Sequence, residues 1–149
     1  MTQHADIEVY TPQSGIQLVV EVMPKRGETD EWAAKFRRNL FTHQSIPSSK
    51  FFLIALPEHL YLWRDKTSPD LIPADYKVRT KDVLQPYLGQ ISLEELDGLS
   101  FEFLVKAWLD DLIWSKLTKE EAGPGLKWVF DSGLYESIRH GEIRTEAAV

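Results

Sequence analysis

Apolar and polar residues alternate in two short runs near the start of the chain. Residues 6–10 (DIEVY) and 16–22 (IQLVVEV) are rich in β-branched side chains, and Thr11-Pro12-Gln13-Ser14-Gly15 between them is a turn signal. With the turn at 12–15, the runs pair as a hairpin: Tyr10 opposite Gln17, Val9 opposite Leu18, Glu8 opposite Val19, Ile7 opposite Val20 and Asp6 opposite Glu21. One face of that hairpin (Ile7, Val9, Ile16, Leu18, Val20, Val22) is wholly apolar, and the other carries Asp6, Glu8, Tyr10, Gln17, Val19 and Glu21. A slip of one residue would mix the two sets, so the pattern selects this register. Directly opposed Cβ atoms lie about 5 Å apart, which predicts that Asp6 and Glu21 stand side by side.

The following pattern changes period. Met23-Pro24-Lys25-Arg26-Gly27 ends the strand, and a helix is predicted from Thr29 or Asp30, with Asp30 and Glu31 at the positive end of its dipole. Trp32, Phe36 and Leu40 recur at helical spacing with Ala33 beside them, so they are expected to form its buried face, with Lys35, Arg38 and Thr42 off it. A Ser-rich loop over 44–50 leads to 51–56 (FFLIAL), which reads as a strand buried on both faces, and Pro57-Glu58-His59 turns into a further strand at 60–63 (LYLW). Strand, helix and buried strand in this order predict a right-handed β-α-β crossover.

After Arg64 comes a connector containing Pro and Asp, and 75–83 reads as one more extended piece. From Ser92 the pattern is helical. Ser92 and Glu95 have capping-box spacing, and Ser100 is placed to cap a longer helix running through Lys116. Phe101, Leu104, Val105, Trp108, Leu109, Leu112 and Ile113 give that helix a wide apolar face, with Trp114 near its polar side. Gly123-Pro124-Gly125 breaks the chain, and a last helical stretch over about 126–140, interrupted near Gly133, precedes a loose tail. The expected fold class is α/β: a mixed sheet made of an N-terminal hairpin, crossover helix, buried strand and second hairpin, followed by C-terminal helices. The expected organisation is a single domain over 1–149, with an α/β core in 1–85 and a helical extension in 86–149 packed on it.

Composition narrows the chemistry. The 149 residues suit one domain, and with 43% hydrophobic and 27% charged residues the chain has the balance of a globular protein. It has no cysteine, which excludes a disulfide framework and a thiolate zinc site. The N-terminal residues MTQHADIEVY do not read as a signal peptide, and no run approaches the roughly 20 apolar residues of a membrane span. A cytoplasmic protein without membrane contact is the expectation. The net charge of −6 argues against nonspecific coating of nucleic acid. That charge is unevenly placed: residues 1–91 carry 11 acidic and 11 basic side chains, whereas 92–149 carry 12 acidic and 6 basic. Within the neutral part, 32–57 holds Lys35, Arg37, Arg38 and Lys50 with no acid. A solvated helix face is the simpler account of this basic patch, and phosphate contact is the functional one.

Several familiar sites are absent. His4, His43, His59 and His140 are scattered, and there is no Gly-x-Ser-x-Gly elbow, Walker loop or Gly-x-Gly-x-x-Gly turn. What remains is Asp6, Glu21 and the basic residues that follow. Paired carboxylates on adjacent strands suit a hard divalent cation such as Mg²⁺ or Mn²⁺, and the backbone carbonyl of Val22 is placed to add a third oxygen. A metal there would offset the carboxylate repulsion, polarise a phosphate oxygen and lower the pKa of a bound water. On the hairpin alone, two solvated acids on an exposed face remain the simpler account.

An Asp opening one strand, a hairpin, and an apolar strand with Glu-x-Lys spacing followed by a helix and a buried strand resembles the PD-(D/E)XK nuclease superfamily. More narrowly, ADIEVY, QLVVEV, EWAAKFRRNL and FFLIALPEHLYLW, with SFEFLVKAWLDDLI and SGLYESI towards the C-terminus, resemble a group of small bacterial proteins common in cyanobacteria. The resemblance implies a restriction-endonuclease-like sheet, with Asp6 and Glu21 as the metal-binding acids of a Mg²⁺-dependent nuclease acting on DNA. It also implies a lysine where this chain has Met23, which can neither carry charge nor donate a hydrogen bond. Lys25, two residues on, or Lys35 or Arg38 on the helix would have to supply the missing cation, and Lys35, Arg37 and Arg38 would contact phosphates. The helix and strand that usually precede the family's Asp have no counterpart before Asp6, so C-terminal elements or a second subunit would fill their places. Two readings result: a metal-dependent phosphodiesterase using Asp6, Glu21 and Lys25, and a nuclease-fold binding or regulatory module without turnover. The large apolar face of the helix after Ser100, together with Trp114, raises a homodimer as a further expectation.

Overall fold

In a computed structural model, residues 5–145 are described, and they form a mixed α/β structure around one sheet. Six strands are present among these residues: β1 (Ile7–Thr11), β2 (Gly15–Val22), β3 (Phe51–Ala55), β4 (His59–Arg64), β5 (Tyr76–Arg79) and β6 (Glu142–Thr145). Their order across the sheet is β5-β4-β3-β2-β1-β6. β2 and β3 run parallel and every other neighbouring pair is antiparallel. The parallel pair is joined by helix α1 (Asp30–Thr42), so the expected crossover is present. Thr29 caps that helix, accepting the Trp32 N–H at 3.0 Å, and satisfies one of the free donors of its first turn.

The hairpin register holds at its centre and changes near the turn. Ile7 faces Val20, Glu8 faces Val19 and Val9 faces Leu18, as the alternation requires. Tyr10, however, faces Ile16, and Gln17 is the extra residue of a bulge. The bulge moves Ile16 to the opposite face, and Gln17 turns inward, where its Nε2 donates to the Ser14 carbonyl at 3.0 Å. Gly15 at φ 79° closes the turn in a conformation that an L side chain strains to adopt.

β3 has both faces buried, and a separate layer covers each. On one face, Leu18, Val20, Phe51, Leu53, Leu60 and Leu62 meet the later helices: α2 (Thr80–Leu88), α3 (Gly98–Trp114), α5 (Lys127–Asp131) and α6 (Leu134–Ile138). A short α4 (Lys119–Ala122) precedes the Gly-Pro-Gly break. On the other face, Val19, Phe52, Ile54, Tyr61 and Trp63 meet α1 and the connector between β4 and β5. α3 begins three residues earlier than its sequence cap predicts: Asp97 is the cap, accepting the Ser100 N–H at 2.7 Å.

Three further elements depart from the sequence reading. Residues 75–83 are only partly extended, because β5 ends at Arg79 and α2 begins at Thr80. Thr80 fixes that corner, its hydroxyl donating to the Leu56 carbonyl at 2.6 Å. The tail is not loose over the described residues: 142–145 form β6, which pairs with β1 from Tyr10–Glu142 to Ile7–Thr145. Gly141 admits this approach, since a Cβ there would stand 2.8 Å from Val9 Cγ1. The third departure is the buried face of α1. Ala33, Ala34 and Arg37 are buried, while Trp32 and Phe36 stack on each other, half-buried, with ring centroids 5.1 Å apart.

Arg37 has no exposed surface at all. Its guanidinium lies 4.1 Å from the centroid of the Phe41 ring and donates to the carbonyls of Lys66 (2.7 Å) and Asp70 (3.2 Å). Burial lowers its pKa, opposed by the charges of Asp70 and Asp75. The side chain thus serves as an internal strut for the β4–β5 connector, tying the carbonyls of Lys66 and Asp70 to α1. Trp63 Nε1 adds a bond to the Ile72 carbonyl at 2.8 Å. Arg37→Ala is expected to destabilise the chain by about 2–4 kcal/mol in urea denaturation and to open 65–75 to proteolysis; Arg37→Lys should recover little, since an ammonium cannot reproduce the fork.

Asp75 closes the same connector. It accepts the Arg64 N–H and pairs with Lys66 at 2.7 Å. Burial would raise its pKa, but Lys66 and the Arg64 N–H outweigh this and leave it lowered. A lowered carboxyl pKa stabilises the fold above the unfolded value of about 3.9 and ceases to do so as pH falls through the folded value. The stability gap between the native chain and Asp75→Asn, followed by urea midpoints, should therefore be constant above about pH 5 and shrink below about pH 4.

Candidate functional site

The two acids lie where β1 starts and β2 stops. Asp6 precedes β1 by one residue, and its Oδ2 accepts the Val22 N–H at 2.8 Å. An extended residue points its N–H and C=O to the same side, so the Val22 carbonyl also faces β1. Glu21 lies one residue before Val22 and opposite Ile54 of β3. The β1–β2 ladder ends at the Ile7–Val20 pair, and Asp6, one residue beyond it, lies in a bend rather than in the ladder. Both acids are half-buried, and Glu21 has an interaction of its own. Asp6, Glu21 and the Val22 carbonyl therefore gather at one end of the hairpin.

Lys25 and Lys35 pair with acids of their own, and Arg37 is inside the protein. Met23 continues the main chain with its N–H on the Ala55 carbonyl at 3.0 Å, and its side chain packs on the α1-side apolar cluster. Lys25 lies beyond Pro24, with Nζ 3.6 Å from Glu28 and 5.3 Å from the Trp32 ring centroid. Lys35 pairs with Glu31 at 2.9 Å one turn back on α1. Arg38 is half-buried on α1, and Arg37 leaves the predicted surface patch because it is inside the protein. A charged residue with no acid near it in sequence reads as solvated; only the carbonyls of a segment some 30 positions later reveal its place.

A polar group that sequence reasoning missed lies on the same face of the sheet. Glu21, Ile54, Tyr61 and Lys77 form one transverse row over β2 to β5. Asp30, at the start of α1, accepts the Tyr61 hydroxyl at 2.9 Å and pairs with Lys77 at 2.8 Å. These two partners hold the Asp30 carboxyl below its usual range, Lys77 contributing most. Burial, and then Asp30, push the Tyr61 hydroxyl well above the ordinary tyrosine value. Lys77 is thus a cation on the right face, but three strand spacings, about 14 Å, separate it from Glu21, and Asp30 neutralises it. The signal was the alternation Tyr61 and Lys77 on neighbouring strands, legible only once β5 is paired.

Two carboxylates and a main-chain carbonyl are all oxygen donors, the chemistry that suits a hard divalent ion completed by water or phosphate oxygens. Among the described residues no group of three or more His, Cys, Asp or Glu side chains is placed to hold a metal ion. The residues present fit Mg²⁺ in donor type, with protein ligands limited to Asp6, Glu21 and Val22. Among the described residues no helix is long and apolar enough to cross a membrane. Comparison with family models, curated proteins and solved structures found no match to the chain.

The Asp6 bond has a measurable weight. Asp6→Ala leaves the Val22 N–H without its acceptor and should cost about 1–2 kcal/mol in urea denaturation, whereas Asp6→Asn keeps an acceptor oxygen and should cost less than half of that. Equal losses would show that charge, not the acceptor, matters at this position.

Proposed function

We propose that this chain is a non-catalytic binding or regulatory module built on a restriction-endonuclease-like sheet, with a residual cation site at Asp6 and Glu21. The observation that carries the reading is Met23. It follows the acid pair where the resembled family places its lysine, and it lies in the α1-side apolar cluster. Water activation at such a site needs a cation that stabilises developing negative charge. Lys25, Lys35 and Lys77 each face an acid instead, Arg37 is an internal strut, and Arg38, on α1, is the candidate cation without such a commitment in this reading. When bound, a divalent ion would supply charge to hold an anionic group; this chain's contribution is the Asp6 and Glu21 carboxylates, with Asp6 oriented by the Val22 N–H.

Several features support the fold assignment within this reading. β1, β2, α1 and β3 follow the order that the resemblance implies, with β3 parallel to β2. β6, from the C-terminal part of the chain, lies antiparallel beside β1.

DNA cleavage tests the proposal. The native chain, incubated with single-stranded, duplex and branched DNA in Mg²⁺ or Mn²⁺, is expected to cleave no faster than Glu21→Ala. Met23→Lys is expected to gain metal-dependent cleavage that Met23→Lys with Glu21→Ala loses. Cleavage by the native chain that Glu21→Ala abolishes would establish the phosphodiesterase reading instead. If neither the native chain nor Met23→Lys cleaves, and calorimetry finds no Mn²⁺ binding that depends on Glu21, the nuclease-like assignment of the acid pair falls.

A further inference from the structure

β6 stands at one edge of the sheet, with β1 as its strand neighbour among the described residues. None of its residues is buried; they alternate between exposed and half-buried. Two side chains attach it. Ile143 packs against the helical-layer cluster, and the Arg144 guanidinium stands 4.1 Å from the centroid of the Tyr10 ring. The strand it covers is held quite differently, since Ile7 and Val9 of β1 have no exposed surface. An edge strand with few buried contacts opens locally while the core beneath it stays folded.

The connection into β6 is short and strained. α6 ends at Ile138 and β6 begins at Glu142, so Arg139, His140 and Gly141 make the whole reversal. His140 has φ 57°, in the left-handed region that a residue with a Cβ enters only under constraint. Gly141 is pressed against both sides of the turn: a Cβ there would stand 2.8 Å from Val9 Cγ1 and 2.9 Å from the Ile138 carbonyl oxygen. The His140 N–H donates to the Ile113 carbonyl at 3.1 Å, and its ring meets the exposed Trp114 edge-on with centroids 5.8 Å apart. These contacts hold the bend in place, but the bend itself exists because β6 folds back onto the β1 of its own chain. A short hinge under strain favours exchange of the element that follows it, since an extended hinge relieves the strain.

We infer that β6 is exchanged between two copies of this chain: the hinge at 139–141 extends, and residues 142–145 of each copy pair with β1 of the other. The ladder itself names the occupant. A second copy's β6 brings the same pairs from Ile7–Thr145 to Tyr10–Glu142, the same packing of Ile143 and the same Arg144–Tyr10 contact, so no new interface has to be built. What changes is the hinge, where His140 is released from φ 57°. The closed chain prevails at low concentration, because its own β6 is tethered at high effective concentration beside β1. Exchange sets a strand of the second copy against Ile7, the residue that follows Asp6. It uses neither Asp6 nor Glu21, so it stands apart from the cation-site reading.

The chain has no cysteine, so an introduced pair reports which β1 each β6 has joined. Glu8 and Arg144 face each other across the ladder. The full chain carrying Glu8→Cys and Arg144→Cys is concentrated, loosened in urea just below its unfolding midpoint, returned to buffer, oxidised and separated by gel filtration. Denaturing gels without reductant are expected to show disulfide-linked pairs of chains from the dimer peak and single chains from the monomer peak. For the cysteine-free chain treated in the same way, the dimer share should rise with protein concentration. His140→Gly, which adopts φ 57° without strain, should lower that share several-fold, and His140→Val, which resists it, should raise it. Thermal unfolding checks that both variants fold; if either does not, the cysteine pair decides alone. The inference is overturned if no dimer forms at any concentration. It is overturned too if the disulfides of the dimer lie within single chains, which is association without exchange, or if folded His140→Gly and His140→Val both keep the native dimer share.

Discussion

β3 carries five side chains and none of them reaches water. A strand buried on both faces cannot stand at a sheet edge or against a single layer, so the rest of the chain must supply neighbours on both sides and cover above and below. β2 and β4 are the neighbours, and the crossover through α1 follows because parallel pairing needs a connection that passes over one face. Each face then has its own apolar cluster, one closed by α1 and the β4–β5 connector, the other by the later helices. The position of the acid pair is a by-product of the same constraint. β2 has to end beside β3, and Glu21 and Val22 are its last residues.

Charge is distributed against this background in an unusual way. The α1-side layer is thin, a single helix and an irregular segment, and an irregular segment brings carbonyls that need donors. Arg37 supplies them from inside the layer. Lys77 holds α1 to β5 through Asp30.

The legible parts of the fold are those set by local pattern. The centre of the hairpin register, the cap at Thr29, the buried run of β3 and the interruption at Gly133 all follow from residues close in sequence. The rest depended on distant partners. The Gln17 bulge answers the turn at Ser14 as well as the alternation, and so escapes a rule of two. α2 contains Pro86 and follows β-branched Val78, which together read as extended; its helical start is fixed by Thr80 against Leu56. Arg37 could not be told from its neighbours Lys35 and Arg38 until the connector folded over it. For the candidate site, the placing of Asp6 and Glu21 at one end of the hairpin was visible in the alternation, whereas the bond from Asp6 to Val22 and the ion pairs of Lys25, Lys35 and Lys77 were not.

The pairing of β6 with β1 bears on the order of events as the chain folds. Ile7 meets Thr145, so the two strands share a ladder although almost the whole described chain lies between them. Closing so long a loop is entropically costly and slow compared with the hairpin and the crossover. During synthesis, β1 is made early and its outer edge waits for residues 142–145, which are made late. Throughout that interval the molecule presents an open strand edge, a template on which another nascent or partly folded chain can pair. The last strand therefore acts as a latch, and the vulnerability of this fold to misassembly lies in the time before it closes.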